Sequence, residues 1–386
     1  MKQEHHDALR DRLIDLLERG EDPLTASTWQ NPVAVYHDPD HLELEQKRLF
    51  DSFPLIIGRA DQIAHANDFL THDLTGRSLL VTRGADGTIR AFHNVCRHRG
   101  ARVEAKPCGS ARRFSCPYHA WTYDTHGTLV SIPNDDGFND IDRSEHNLVP
   151  IATAEHLGFI WIDVSADPAK PLDVAAFLGE LDDELSGYGI ESHVTEKLDT
   201  LPEPFNWKLV VDGFLETYHL RFLHRTTIGP YIKSNFALVD TYGPHARMIA
   251  VRESIADYLA EAPADRASVL PHLAVIYQIF PNTILVWQGD HFESWNSWPG
   301  PDGAASMVAE ARLLAPTPVS SPAEAARWKK NWKILMDTVL NEDFVVARSM
   351  QSNYGAGAQT HATFGRQEAA LQHYHQRLAT ATAGSE

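Results

Sequence analysis

Leu9, Leu13, Leu16 and Leu17 recur at helical spacing in an otherwise charged stretch, so residues 8–18 read as an amphipathic helix. From about Phe53 to Val164 the texture changes to short β-rich runs such as SLLVTR, TIRAFHNV and GFIWIDV. Turn signals at Ala85-Asp86-Gly87 and His126-Gly127 separate them, which predicts a compact all-β domain. Residues 165–171, with Pro168 and Pro171, read as a linker. Beyond it the pattern predicts helices over 205–220 and 322–351, and strands over 246–253, 274–298 and 305–315. The last helix has a start signal, with Ser321 as N-cap, Pro322 in the first turn and Glu324 completing a capping box. No internal repeat or low-complexity tract interrupts the chain.

With 386 residues, 43% of them hydrophobic, the chain can bury a full core and is long enough for two domains. Its net charge of -18 argues against non-specific binding to nucleic acid or to an anionic membrane. The opening segment is too polar and acidic for a secretory signal, and no apolar run approaches the ~20 residues that span a bilayer. A cytoplasmic protein is the simplest expectation. Three cysteines are too few and too odd in number for a disulfide framework, which turns attention to metal chemistry.

Cys96-Arg-His98 is followed, after seventeen residues, by Cys116-Pro-Tyr-His119. Two Cys/His pairs in short loops after strands can converge on one site, and thiolate plus imidazole suits zinc or an iron–sulfur cluster. Zinc modules usually pair Cys with Cys and His with His, whereas here each loop supplies one of each. A Rieske [2Fe–2S] cluster needs two cysteines on one iron and two histidines on the other. Cys108 has no partner in either loop and reads as a small buried hydrophobe.

The stretch from Asn206 to His224 holds a second set of candidates. On a helix Trp207, Val211, Phe214 and Tyr218 make an apolar stripe, with Asp212, Glu216 and His219 on the opposite side. His224 lies about 140° from His219 on a straight helix, so the two share a metal only if the helix ends or distorts between them. A 2-His-1-carboxylate iron site needs one more ligand. Asp343 is the candidate, because Trp328, Trp332, Met336 and Val339 form an apolar stripe that it extends. An acid there is costly unless a charge or metal meets it. Glu342, its neighbour, is expected to point off that stripe.

CRHRG at 96–100 and CPYHAWTYDTHG at 116–127 resemble the Rieske domain of ring-hydroxylating oxygenases. The spacing acid-x3-acid-x2-His-x4-His at Asp212, Glu216, His219 and His224, followed by a late carboxylate, is similar to the same family. One departure is Ala120, where the family usually has glycine; a second is Glu216, where it usually has aspartate. The resemblance implies an α+β architecture, with an all-β Rieske domain (51–165) inserted into a helix-grip, START-like catalytic domain (1–50 and 166–386). It implies a [2Fe–2S] cluster on Cys96, His98, Cys116 and His119, and mononuclear Fe(II) on His219, His224 and Asp343. It further implies a head-to-tail homotrimer in which Glu216 bridges to a Rieske histidine of the next chain. Asp212 is expected to support that interface, and Glu216, Asp212 and Asn206 are the catalytic candidates of the stretch.

The implied reaction consumes O2 and external electrons. No dinucleotide fingerprint is present, so an NAD(P)H-dependent reductase, a ferredoxin or both should supply them. Arg97, Arg99, Arg102, Lys106, Arg112 and Arg113, opposed only by Glu104, form a basic collar suited to an acidic donor. Hydroxylation of a small aromatic substrate is the leading expectation, and oxidative N- or O-demethylation of a methylammonium or methoxy compound is the alternative. Phe222, Tyr231, Phe236, Tyr277, Phe280, Trp287, Phe292 and Trp295 could line its pocket or form plain core. Two rivals from other classes are a Rieske electron carrier with a non-catalytic ligand-binding domain and a zinc-stabilised lipid-binding protein.

Overall fold

The computed structural model describes residues 3–261 and 268–384. The chain divides into two compact units, residues 50–177 and residues 1–49 with 178–386. The second boundary falls after Phe177 rather than after Ser165. Phe177 belongs with the first unit because its ring packs on Phe53 and edge-on to Trp161.

The inserted unit is all-β, with seven antiparallel strands in one sheet and three in another. Phe69, Phe92, Phe114, Trp121 and Tyr123 make its core, into which the two Cys/His loops project Cys96 and Cys116. Cys108 is a correction: it lies exposed on the short strand Cys108–Ser110. Among the described residues that strand pairs only with Asp68–His72 at the edge of the sheet, which leaves the thiol exposed.

The larger unit is α+β. Its strands are β1 (Val194–Glu203), β2 (Ile232–Tyr242), β3 (His245–Arg252), β4 (Leu273–Ile279), β5 (Thr283–Trp287), β6 (Phe292–Pro299) and β7 (Met307–Ala315). They form one antiparallel sheet in the order β1-β7-β6-β5-β4-β3-β2. The expected single strand over 274–298 is three, because turns at 280–282 and 288–291 reverse the chain twice. Every residue of β4 and β7 is buried, as their near-continuous Leu, Val, Ile and Ala runs require.

The opening helix α1 spans Gln3–Arg19. The helix expected over 205–220 is broken into α2 (Lys208–Phe214) and the single turn α3 (Leu220–Leu223). That break leaves Tyr218 exposed rather than on an apolar stripe. Lys208 fixes the start of α2: its buried ammonium is 2.6 Å from Glu45 Oε1, while Trp207 Nε1 donates to Glu45 Oε2 at 2.9 Å. The long helix over 322–351 is α4 (Pro322–Thr338) and α5 (Phe344–Tyr354), joined by a π-helical turn at Val339–Asp343. Ser321 Oγ accepts from Glu324 N, as the cap signal predicts, but Glu324 reaches back to Ser320 instead. The chain closes with α6 (Ala369–Ala383).

Candidate metal centres and cavity

The two Cys/His loops are the same turn made twice. Cys96 O accepts from Gly100 N and Cys116 O from Ala120 N, both at 2.9 Å. Cys96 N then donates to Ala101 O, and Cys116 N to Trp121 O. Each turn closes on a left-handed residue, Gly100 at φ +78° and Ala120 at φ +56°. Glycine takes that conformation freely and alanine does not, so the departure at 120 carries strain.

Cys96 and Cys116 are buried, and the Cys116 thiol is raised by burial, with the Cys96 thiol alongside. The rings of His98 and His119 sit 4.7 Å apart, and His98 stacks on Trp121. Tyr123 OH lies 3.5 Å from Cys96 Sγ and accepts from Arg97 N at 3.0 Å. A zinc site needs all four ligand atoms around one point. Among the described residues, the only group of three or more ligand atoms close enough for a single ion lies elsewhere. Paired thiols and paired imidazoles instead match the division of ligands on a Rieske cluster.

That single-ion group is His219, His224 and Asp343, whose ligand atoms lie within 4.8 Å of one another. His219 precedes α3 and His224 ends it, so one short helical turn brings both rings to the same point, 5.0 Å apart. The break that allows this is held by Glu216. Its Oε2 accepts from the amides of Tyr218 and His219, and its Oε1 from His219 Nδ1. Asp343 comes from the π turn, with Oδ1 at 3.1 Å from His224 Nε2 and 3.7 Å from His219 Nε2. Two imidazoles and one carboxylate converging in this way fit a divalent iron and leave coordination positions free.

Glu342 does not point away. Its Oε2 is 2.5 Å from His224 Nδ1 and accepts from Thr227 Oγ1 at 2.7 Å. Both histidines therefore have Nδ1 on a carboxylate and Nε2 free for a metal, the arrangement that fixes tautomer and ring orientation. Asp212 accepts from Tyr36 OH at 2.7 Å and sits 2.8 Å from His375 Nε2, tying α2 to α6 and to the N-terminal segment. Asn206 faces no ligand: its amide donates to Ala304 O and its carbonyl accepts from Lys208 N. It anchors the start of α2.

A cavity of about 660 Å³ opens on the triad, bounded by α3, α4 and the sheet. Its apolar wall includes Met248, Ala250, Ile276, Val286 and Leu335, and its acids include Asp290, Glu293 and Asp337. Of the eight aromatic candidates only Tyr231 lines it. Trp287 and Phe292 pack instead with Tyr188. A second cavity, about 480 Å³, shares Glu216, His219 and Asp343 and reaches Asp212 and Glu368. Sequence reasoning missed Thr227 and the polar residues Gln288, His291 and Glu293. The last three had one signal, polarity inside what reads as an apolar β run.

The model of the ring-hydroxylating alpha subunit catalytic domain matches residues 189–384, and that of the Rieske [2Fe–2S] domain matches residues 54–145. The chain belongs to the Rieske oxygenase alpha-subunit family. It is 33% identical to the glycine betaine monooxygenase oxygenase subunit of Chromohalobacter salexigens, over 62% of this chain and 51% of that one. It is 30% identical to the carnitine monooxygenase oxygenase subunit of Escherichia coli, over 50% of this chain and 51% of the relative. The chain thus aligns with about half the length of these curated relatives. In fold it is similar to the quaternary ammonium Rieske monooxygenase CntA, with a TM-score of 0.78 over 93% of this chain and 96% of that one, at 20% identity. Naphthalene 1,2-dioxygenase from Rhodococcus sp. superposes with a TM-score of 0.73 at 19% identity, over 100% of both chains.

Proposed function

We propose that this chain is the oxygenase component of a Rieske monooxygenase that oxidises a small N-methylated substrate. The observation that carries the reading is the placement of His219, His224 and Asp343 at the mouth of a cavity whose acids outnumber its one arginine, Arg252. His219, His224 and Asp343 would hold iron, and Cys96, His98, Cys116 and His119 the [2Fe–2S] cluster. When bound, these groups would bring O2 and electrons to the substrate. One oxygen atom enters a C–H bond, and the other leaves as water with two electrons and two protons. On an N-methyl carbon the hydroxylated product loses formaldehyde.

A plain arene suits the apolar wall but not the carboxylates that line the cavity, although Asp290 and Asp337 already pair with Arg327 and Lys333. A methylammonium group suits the acid excess, and the names of the relatives point the same way. An aromatic ring therefore becomes the second reading.

The electrons are assigned to a separate NAD(P)H-dependent reductase, with or without a ferredoxin. All six basic residues of the collar are exposed, although Arg102 is already paired with Asp73. A homotrimer, with Glu216 bridging to the next chain's Rieske histidine, remains part of the proposal. No helix among the described residues is long and apolar enough to cross a membrane. Substrate-dependent O2 uptake with a matched reductase, across methylammonium, methoxy-aromatic and unsubstituted aromatic compounds, tests the reading. Uptake and formaldehyde release should appear with the methylammonium compounds; coupled turnover of the unsubstituted aromatics alone would overturn it.

A further inference from the structure

We propose that Arg252 anchors a carboxylate of the substrate, and that the 660 Å³ cavity therefore takes a dipolar molecule. Its methylammonium end lies toward His219, His224 and Asp343, and its carboxylate end on the guanidinium. This rests on the reading of the cavity as the chamber in which an N-methyl group is oxidised.

Arg252 closes β3, where it follows Met248 and Ala250 on the face that lines the cavity. Ala274 of β4 and Gln288, just past β5, continue that floor. The sheet fixes the guanidinium. Its Nε donates to Leu273 O at 3.1 Å, and its Nη2 donates to Gln288 O at 3.3 Å and to Gln288 Oε1 at 2.7 Å. Those bonds spend one edge of a planar five-donor group and hold its plane. Nη1, with two N–H groups, makes no hydrogen bond among the described residues. The side chain is partly buried, and Nη1 keeps accessible surface, whereas the unpaired atoms of Glu293 and His291 are sealed.

The charge of Arg252 is unmatched. Among the described residues no carboxylate forms an ion pair with it, and the acid that bears on it, Glu293, is pushed toward its neutral form by burial. Asp290 and Asp337 are taken by Arg327 and Lys333. A guanidinium cannot shed its proton, so a partly buried one without an anion is costly. A carboxylate that accepts from Nη1 supplies the anion through a charge-assisted hydrogen bond, roughly twice as strong as a neutral one. An amide of the same shape can accept from Nη1 but brings no charge. The triad sets the other sign in the same cavity, with Glu216 and Asp343 on its wall. A cation drawn to the acids and an anion held by Arg252 are the two ends of one ligand.

Calorimetric titration of the holoenzyme compares glycine betaine, 4-(trimethylammonio)butanoate and phenylacetate, each with its own amide. Every carboxylate that binds is expected to bind at least about tenfold more tightly than its amide, about 1.4 kcal/mol. Arg252→Gln should bring that ratio below about threefold, and Arg252→Lys, which keeps the charge, should hold it above that value. Phenylglyoxal labelling of the wild type, read by peptide mass spectrometry, needs no folded variant. A bound carboxylate should shield Arg252, and its amide at the same concentration should not. An amide that binds within about threefold of its carboxylate overturns the anchor, as does failure of all three carboxylates to bind. A preference that survives Arg252→Gln, or an Arg252 left unshielded by a bound carboxylate, overturns it too. If phenylacetate alone binds with that preference, the N-methyl reading falls and the anchor stands.

Discussion

Replacing Glu342 should loosen the mononuclear iron without touching the cluster. His224 is 1% exposed, and its Nδ1 meets Glu342 Oε2 at 2.5 Å. A hydrogen bond to a charged partner contributes about 1.5–3 kcal/mol. Loss of the partner that orients a metal-binding histidine typically costs 10–100-fold in affinity, about 1.4–2.7 kcal/mol, so the two routes agree. Glu342→Ala removes both the charge and the acceptor shared with Thr227, and about 100-fold weaker iron binding is expected. Glu342→Gln keeps a neutral acceptor of the same shape and should lose nearer tenfold. Dialysis against graded chelator, followed by iron analysis, reads the affinity. The visible absorption of the cluster serves as internal control, because the two sites share no ligand. If Glu342→Ala releases iron at the same chelator concentration as the wild type, Glu342 does not orient His224.

Four further outcomes are expected. Asp343→Ala should remove the mononuclear iron while leaving cluster absorption intact, and full iron occupancy with turnover would eliminate Asp343 as a ligand. Glu216→Gln, loaded with excess iron to offset a loss of affinity like that of Glu342→Gln, should nearly abolish oxidation of the pre-reduced cluster on mixing with O2 and substrate; stopped-flow reoxidation at the wild-type rate would rule out the bridge. Ala120→Gly should relieve about 1 kcal/mol of left-handed strain and raise the melting of the Rieske unit by about 4 °C in calorimetry, whereas an unchanged transition would show no strain there. Arg112→Glu with Arg113→Glu should slow reduction by the native donor and flatten its salt dependence, sparing single turnover of pre-reduced enzyme.

What the sequence disclosed depended on how local the signal was. The two Cys/His loops are short-range turns, so the approach of His98 to His119 could be expected from spacing alone. His219, His224 and Asp343 could be named, but how they meet could not. A straight-helix projection keeps the two histidines about 140° apart. The chain solves this with a break held by the Glu216 carboxylate, which bonds the amides of Tyr218 and His219. The same projection sent Glu342 outward, because a π turn leaves no trace in the apolar period. Cys108 was misplaced because an edge strand and a core strand look alike over three residues. The cavity floor stayed hidden for another reason: 274–298 read as one strand, so the turn carrying His291 was not seen as a turn.

The carboxylates explain why these irregularities persist. Glu216, Glu342 and Asp343, three formal negative charges, meet the imidazoles of His219 and His224 in one partly buried pocket. Like charges this close repel one another unless a cation intervenes. A divalent iron held there would neutralise two of the three and would offset the cost of both the broken helix at Leu215 and the π turn at Val339–Asp343. Adjacent residues on a regular helix point about 100° apart, so without that turn Glu342 and Asp343 could not both serve His224. The charge that remains is -1, at the entrance to a cavity that also carries Asp290, Glu293 and Asp337. Low dielectric strengthens that field, so the metal-loaded site should favour a cationic methylammonium over a neutral ring of equal size. The geometry that would hold the iron and the preference proposed for the substrate thus have one origin, the excess of acid around His219 and His224.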